Sequence, residues 1–293
     1  MEIQKLKKKL LKEELRERRK RNKKRRWTLV GLILLAGLAA GAGGTYYLRA
    51  SESQLLERIQ QAELLVHQEQ FEKAADLYRQ IHSRHRSSSL APQALFSAGE
   101  ILNLYLGNYQ EAVLVFLLLE HDYPDSDLVL KAQEQVAEIY KNRLRDYNRA
   151  IVAYQKLLDS GAANPDRLQY EAADCYFRLN NFEQARIELE SLVKAFPESP
   201  LLPEVHYRVA VTYSLEGLLK QAEAAYRRVI ADWPESPYTI EARFGLASVL
   251  EEEERLDESL AILESLAGIY PNGEALAKKT DQVRERIRKK KAP

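Results

Sequence analysis

The sequence has a single cysteine, Cys175, so the chain cannot form an internal disulfide and its fold cannot depend on oxidation. Cys175 has apolar neighbours between Ala172 and Phe177, which predicts a packed core thiol. No cysteine follows the long apolar segment near the N-terminus, and this absence excludes lipid attachment at that point.

The sequence also lacks the patterns that catalysis requires. No glycine-rich loop is followed by lysine, as a phosphate-binding loop would be. His82 and His85 are spaced so that they could share a metal ion, but no third ligand lies near them in sequence. The Glu251–Glu254 run is interpreted as a solvated acidic face rather than an acid–base pair. We therefore expect no enzyme activity, no metal and no cofactor.

The formal net charge of +1 conceals a strong asymmetry along the chain. Residues 1–26 contain 14 Lys and Arg and four Glu, so this segment carries +10 and the remainder −9. A membrane boundary between the two parts would explain the split. The apolar residues of the segment fall on one helix face, which predicts a basic amphipathic helix lying on anionic lipid. The segment lacks interleaved aromatic residues, so we do not expect nucleic-acid binding.

Residues 27–48 are predicted to form one transmembrane helix. Trp27 to Tyr47 is 21 residues without a charge, and as a helix it would be about 31 Å long, close to the ~30 Å hydrocarbon core of a bilayer. The basic flank places residues 1–26 in the cytoplasm and the rest of the chain in the periplasm or another extracytoplasmic space. The alternative is a signal peptide cleaved near Ala40-Gly41-Ala42, but the basic region before the apolar stretch is too long for one.

One pattern recurs six times in the remainder of the chain. A large apolar residue is followed three positions later by a small one, and four positions after that by another large apolar one. The first positions are separated by 38, 38, 35, 37 and 37 residues, a regularity that chance does not produce. The six triplets are Phe71/Ala74/Tyr78, Tyr109/Ala112/Phe116, Tyr147/Ala150/Tyr154, Phe182/Ala185/Leu189, Leu219/Ala222/Tyr226 and Leu256/Ser259/Leu263.

This pattern resembles the tetratricopeptide repeat family. The resemblance extends to a small residue and an aromatic in the preceding helix, as in Ala173/Tyr176 and Ala210/Tyr213. It extends also to a helix-ending proline, present here as Pro124, Pro197, Pro234 and Pro271. Repeats two and three carry one extra residue, which we place in the turn between their helices. The Pro-Glu-Ser-Pro junctions predict a serine cap and a proline in the first turn of the next helix.

The resemblance covers residues 53–272. It implies an all-α, right-handed superhelical solenoid of about six helix–turn–helix repeats, preceded by the one transmembrane helix. Residues 273–293 are then a capping helix and basic end, with Leu276, Val283 and Ile287 packed on the last repeat. The repeat period and junctions are most similar to tetratricopeptide repeat proteins of the bacterial cell envelope, of the BamD and CpoB types, and the expected membrane topology is similar to that of YfgM.

The resemblance implies that the protein works by binding a protein or peptide partner in a concave groove lined by the first helix of each repeat. Aromatic groove residues would offer rigid contact area, and arginines would bond carboxylates or carbonyls. We expect a membrane-anchored scaffold in envelope protein assembly, secretion or quality control; the alternative is a strut or assembly factor of a pilus, polysaccharide or secretion machine. In repeats four and five the family's groove positions are Arg167, Tyr170, Glu171, Asp174, Phe177, Arg178, Glu204, Tyr207, Arg208, Val211, Ser214 and Leu215.

Overall fold

The computed structural model describes residues 52–291 and, nearer the N-terminus, Gly37 alone. Residues 52–291 contain thirteen α-helices, one π-helical turn and no β-strand. Apart from Gly37, the predicted tail (1–26) and transmembrane helix (27–48) lie outside the described residues. Among the helices that the structure describes, none combines the length and apolarity needed to cross a membrane.

Twelve of the helices form six consecutive pairs, and the chain divides into two compact units between Ala91 and Pro92. The first helices of the pairs are α1 (52–67), α3 (Ala91–Leu104), α5 (Val129–Glu138), α7 (Pro165–Arg178), α9 (Leu202–Leu215) and α11 (Pro237–Glu252). The second helices are α2 (Phe71–Arg84), α4 (Tyr109–Asp122), α6 (Tyr147–Asp159), α8 (Phe182–Ala195), α10 (Leu219–Asp232) and α12 (Leu256–Ser265). The last helix is α13 (Gly273–Lys291).

The repeated triplet marks the second helix of every pair. Its first residue is the first residue of α2, α4, α6, α8, α10 and α12. Its second and third residues are all buried in the core, none more than 5% exposed. Within the second unit each helix from α4 to α12 packs on the next one in the chain. The predicted all-helical repeat fold is therefore confirmed, with small residues at the close contacts and large ones filling the space beside them.

A residue with left-handed backbone stands two positions before every second helix. The six residues have φ between 53° and 71°. The N–H of the following residue closes the turn by donating to a carbonyl in the last turn of the first helix, as Leu218 does to Tyr213 over 2.9 Å. Glycine suits this conformation best because it has no Cβ, yet four of the six positions carry a side chain. The six residues are Glu69, Gly107, Arg145, Asn180, Gly217 and Glu254.

The extra residue of repeat three lies inside its first helix, so its prediction as turn residue is wrong for this repeat. After α5 the chain continues into the π-helical turn Ile139–Leu144. A π-helical turn holds one more residue than an α-helical turn, so the extra residue is accommodated within the first helix. The turn before Tyr147 is correspondingly short. In repeat two the extra residue does lie in the turn between Leu104 and Tyr109.

Serines precede three of the first helices, Ser126 in a Pro-Asp-Ser junction and Ser199 and Ser236 in the two Pro-Glu-Ser-Pro junctions, and they act in two ways. Ser236 caps α11 as predicted: its Oγ accepts a hydrogen bond from the Tyr238 N–H at 3.3 Å, and Pro237 is the first helical residue. Ser126 and Ser199 each accept from the backbone N–H two residues on, which is one residue short of the helix start. These two serines therefore close a turn before the helix instead of capping it.

The last helix is held to the sixth repeat by an apolar strip and by a buried carboxylate. Leu276 and Val283 are buried, and Ile287 packs beside them against the core of α11 and α12. Glu251 is 1% exposed and pairs with Lys279 at 2.5 Å and Arg286 at 3.0 Å. The interpretation of this acidic run as a solvated face is therefore wrong for Glu251, because two cations of α13 cover it.

Candidate functional site

The predicted groove residues lie on the first helices α7 and α9. A network of seven charged side chains connects these two helices to the neighbouring π-helical turn. We call this network the ion cluster. Three of its members, Lys141, Glu171 and Asp174, are only 5–7% exposed. The members are Lys141, Arg167, Glu171, Asp174, Arg178, Glu204 and Arg208.

Asp174 is the centre of the ion cluster. Its carboxylate accepts hydrogen bonds from Lys141 Nζ at 2.7 Å, Arg178 Nε at 2.8 Å and Arg208 Nη1 at 2.7 Å. These three cations come from repeats three, four and five. Lys141 also pairs with Glu171. Because three successive first helices share one carboxylate, the cluster fixes their relative positions.

The electrostatics follow from burial and pairing. Burial alone would raise the pKa of Asp174, but the hydrogen bonds from Lys141 and Arg178 outweigh it and lower that pKa to about 2. The pKa of Lys141 is raised because its two carboxylate partners outweigh the effect of burial. Asp174 and Lys141 are therefore both charged at neutral pH, and the cluster contains four basic and three acidic side chains. The surplus positive charge is carried by arginine side chains at the edge of the cluster.

Aromatic rings surround the ion cluster. Tyr170 is buried and its hydroxyl donates to Glu204. The Arg208 guanidinium lies 5.3 Å from the centre of the Tyr170 ring and 5.6 Å from that of Phe177. Further along the same face, the rings of Tyr207 and Tyr238 are 5.8 Å apart. Such cation–ring and ring–ring contacts hold the arginine and the aromatic side chains in fixed orientations.

The structure sorts the predicted groove residues by exposure. Tyr170, Glu171 and Asp174 are buried and contact other groove residues, so in this conformation they support the surface instead of presenting themselves on it. The side chains of Arg167 and Arg178 are 56% and 49% exposed. The half-buried members are Phe177, Glu204, Tyr207, Arg208, Val211 and Ser214, and Leu215 is exposed. That this surface binds a partner stays a prediction.

Sequence reasoning missed two contributors to this site. Lys141 gave no signal, because its partner Glu171 is 30 residues away and the π-helical turn that brings Lys141 to it breaks the repeat register. Phe244 could have been found, since it follows Tyr170 and Tyr207 at the same position of the next repeat. Its ring stacks on Tyr270, with centroids 4.6 Å apart.

Comparisons with known proteins agree with the repeat assignment. Two family models, both described as tetratricopeptide repeat, match the chain: one at residues 143–202 and the other at residues 59–127 and 216–274. Together these ranges span more than half of the chain, and neither model describes a catalytic family. No curated protein matches the sequence.

Solved structures share the fold at low sequence identity. A tetratricopeptide repeat protein from Parabacteroides merdae is 16% identical with a TM-score of 0.51, over 80% of this chain and 86% of that one. YrrB, described as a TPR protein with an unusual peptide-binding site, is 14% identical with a TM-score of 0.50, over 71% of this chain and 99% of its own. At these identities the likeness concerns the fold alone.

Proposed function

Since this chain belongs to the tetratricopeptide repeat family, we propose that it is a membrane-anchored scaffold that binds protein or peptide partners on the first helices of repeats four and five. One observation supports this surface above others: the ion cluster locks α7 and α9 together while leaving Arg167 and Arg178 about half exposed at its edge. A surface ordered before binding loses little side-chain entropy when a partner arrives.

The chemistry of the surface favours a partner that offers hydrogen-bond acceptors. Arg178 uses Nε on Asp174 and also interacts with Tyr147, while 49% of its side chain stays exposed to a ligand. Phe177 and Tyr207 provide half-buried rings next to the arginines. Carboxylates or backbone carbonyls of an extended peptide, or of a helix, would satisfy the guanidinium while apolar side chains cover the rings.

We further propose that residues 27–48 anchor the chain in the cytoplasmic membrane, with the repeats outside the cytoplasm and a role in cell-envelope protein assembly, secretion or quality control. The support is the uncharged stretch of 21 residues and the charge asymmetry on its two sides. Alkaline phosphatase fused after residue 293 is expected to be active in a bacterial host, and a fusion after residue 26 inactive. An inactive C-terminal fusion would contradict this topology.

Site-specific photo-crosslinking tests the binding surface. A photoreactive amino acid at Tyr207 or at Ser214 is expected to capture the same partner, whereas one at Ala224, on a second helix, should not. The double variant Arg167→Ala/Arg178→Ala should weaken that partner's affinity about tenfold or more, because two charge-assisted contacts are lost. Equal capture from Ala224 and Tyr207 would refute the surface.

A further inference from the structure

The charge of the first-helix surface reverses between repeat four and repeat six. Two rows of equivalent positions show the reversal, one at the last residue of each first helix and one eleven residues earlier. Each row begins with an arginine on α7 and ends with a glutamate on α11. In the order α7, α9, α11 the rows are Arg178, Leu215 and Glu252, and Arg167, Glu204 and Glu241.

Glu252 stands where its charge is locally unfavourable. It is exposed and, among the described residues, forms no ion pair. Its neighbours Glu251, Glu253 and Glu254 each pair with two cations. Glu252 is also the last residue of α11, where the helix dipole disfavours negative charge. A charge that breaks the local rule without compensation from the chain is typical of a position that contacts a ligand.

Glu241 is the other carboxylate of repeat six. It is half-buried, accepts a hydrogen bond from the Tyr270 hydroxyl at 3.2 Å and forms no ion pair within residues 52–291. In contrast, Glu204 at the same position of repeat five pairs with Arg208 at 3.6 Å. Repeat six therefore has carboxylates without a cation in both rows, whereas the ion cluster around repeat four has one basic side chain more than it has acidic ones.

The surface between the two charged ends is mainly apolar. Leu215 is 54% exposed, and Tyr207, Val211 and Phe244 are half-buried. Neighbouring first helices contact each other directly, α7 with α9 and α9 with α11. At about 8–10 Å between adjacent helix axes, the distance from α7 to α11 is roughly 16–20 Å. An extended peptide covers this distance in about five or six residues.

We propose that the partner segment bound on the first helices is bipolar: a carboxylate contacts Arg167 or Arg178, apolar side chains cover repeat five, and a lysine or arginine contacts Glu252. This inference rests on the proposed binding surface and adds the order of charges in the ligand. A segment that is acidic at both ends would place negative charge beside Glu252, and one that is basic at both ends would face the arginines of repeat four.

Peptide display tests the order of charges. A random twelve-residue library on phage is selected on the full-length chain and counter-selected on Arg167→Ala/Arg178→Ala, which removes peptides that bind elsewhere. Enriched peptides are expected to carry Asp or Glu separated by apolar residues from Lys or Arg. If the enriched peptides are acidic and apolar but lack a basic residue, the binding surface stands and the bipolar ligand is refuted. If no peptide distinguishes the two chains, the binding surface fails as well.

Charge reversal on both sides then tests the contact at Glu252. Replacing the basic residue of an enriched peptide by glutamate should weaken binding to the wild-type chain about three- to tenfold. Glu252→Lys should reverse this preference, so that the altered peptide binds better than the original. Lysine suits the end of a helix, so the variant is expected to fold, and circular dichroism checks this.

Glu235→Lys is the matched control, because Glu235 is exposed in the junction before α11, at the opposite end of that helix from Glu252. This variant should leave the preference between the two peptides unchanged. If Glu252→Lys also leaves it unchanged, while Arg167→Ala/Arg178→Ala still weakens both peptides, the bipolar proposal is wrong and the proposed binding surface is not.

Discussion

At the scale of single residues, the main finding is that charged side chains on the first helices have different roles. Sequence reasoning treated Glu171 and Asp174 as groove contacts, since the family's groove positions fall on them. The structure shows both buried against Lys141. Buried charges are tolerated only when paired, so these residues orient the half-exposed arginines around them.

The substitution Asp174→Asn tests this role through its pH dependence. The pKa of Asp174 falls from 3.8 to about 2 on folding. A lowered pKa means that the charged form stabilises the fold above pH ~4, and that this contribution disappears as pH falls through about 2. At pH 6 the variant is expected to lose on the order of 2 kcal/mol of unfolding free energy.

Thermal or urea unfolding of both chains between pH 6 and pH 2 measures the effect. The difference between wild type and Asp174→Asn should shrink steadily below pH 4. Asp232→Asn is the control, because its carboxylate is exposed and forms its ion pair with Arg228 on the same helix. A difference that stays constant down to pH 2 would show that Asp174 does not act through its charge.

At the scale of helices and turns, the sequence predicted the second helices well and the turns poorly. The triplets located the start of all six second helices, because large and small residues at fixed spacing reflect helix packing directly. Nothing in the sequence marks Glu69, Arg145 or Glu254 as left-handed, since such residues seldom adopt that conformation. At these three positions the packing of the two helices imposes a left-handed backbone conformation that the residue itself disfavours.

Two opposite substitutions test the left-handed turns. Arg145→Gly should raise the free energy of unfolding by about 0.5–1 kcal/mol, since glycine relieves the Cβ strain at φ 53°. Gly217→Ala, at φ 71°, should lower it by about 1 kcal/mol. Chemical denaturation measures both. The same sign of change for both substitutions would mean that backbone strain is not the determinant.

Helix packing makes a further prediction at Gly245 on α11. A Cβ placed there would lie 2.5 Å from the ring of Tyr226, the third residue of the fifth triplet. That ring is buried and has little room to move, so Gly245→Ala should destabilise the chain by about 2 kcal/mol despite alanine's better helix propensity.

Gly273→Ala is the matched control, because a Cβ at Gly273 meets nothing within 4 Å. Its melting temperature is expected to equal or slightly exceed that of the wild type. Melting curves of the two variants, recorded side by side, measure the difference. If Gly245→Ala melts no lower than Gly273→Ala, then Tyr226 can move aside and the contact is looser than its geometry indicates.

At the scale of the whole molecule, the second unit is a row of helices in which nearly all contacts join neighbours in the chain. Stability in such a row is local, so opening one end need not unfold the rest. The capping role of the last helix was predicted from its apolar spacing. The buried Glu251 was not, since only the structure shows that Lys279 and Arg286 reach it.

A charge at Val283 tests this local stability. Val283 is a fully buried residue of α13 that packs against α11 and α12, so Val283→Asp should detach that helix by burying an unpaired carboxylate. Hydrogen exchange is expected to show amides of α13 and α12 losing protection by tenfold or more, while those of α7 keep theirs. Ala277→Asp, at an exposed position of the same helix, is the control. Loss of protection in α7 would indicate one cooperative unit.

The left-handed residue before every second helix has a consequence for how such a chain can change. This residue ends the first helix and starts the turn at the same distance from the second helix in each repeat. The distance is the same whether the first helix is regular or contains the π-helical turn of repeat three. An added residue is therefore absorbed within its own repeat and does not shift the next. One-residue insertions upstream of these six residues are therefore expected to be tolerated, and they are a source of new surface without loss of fold.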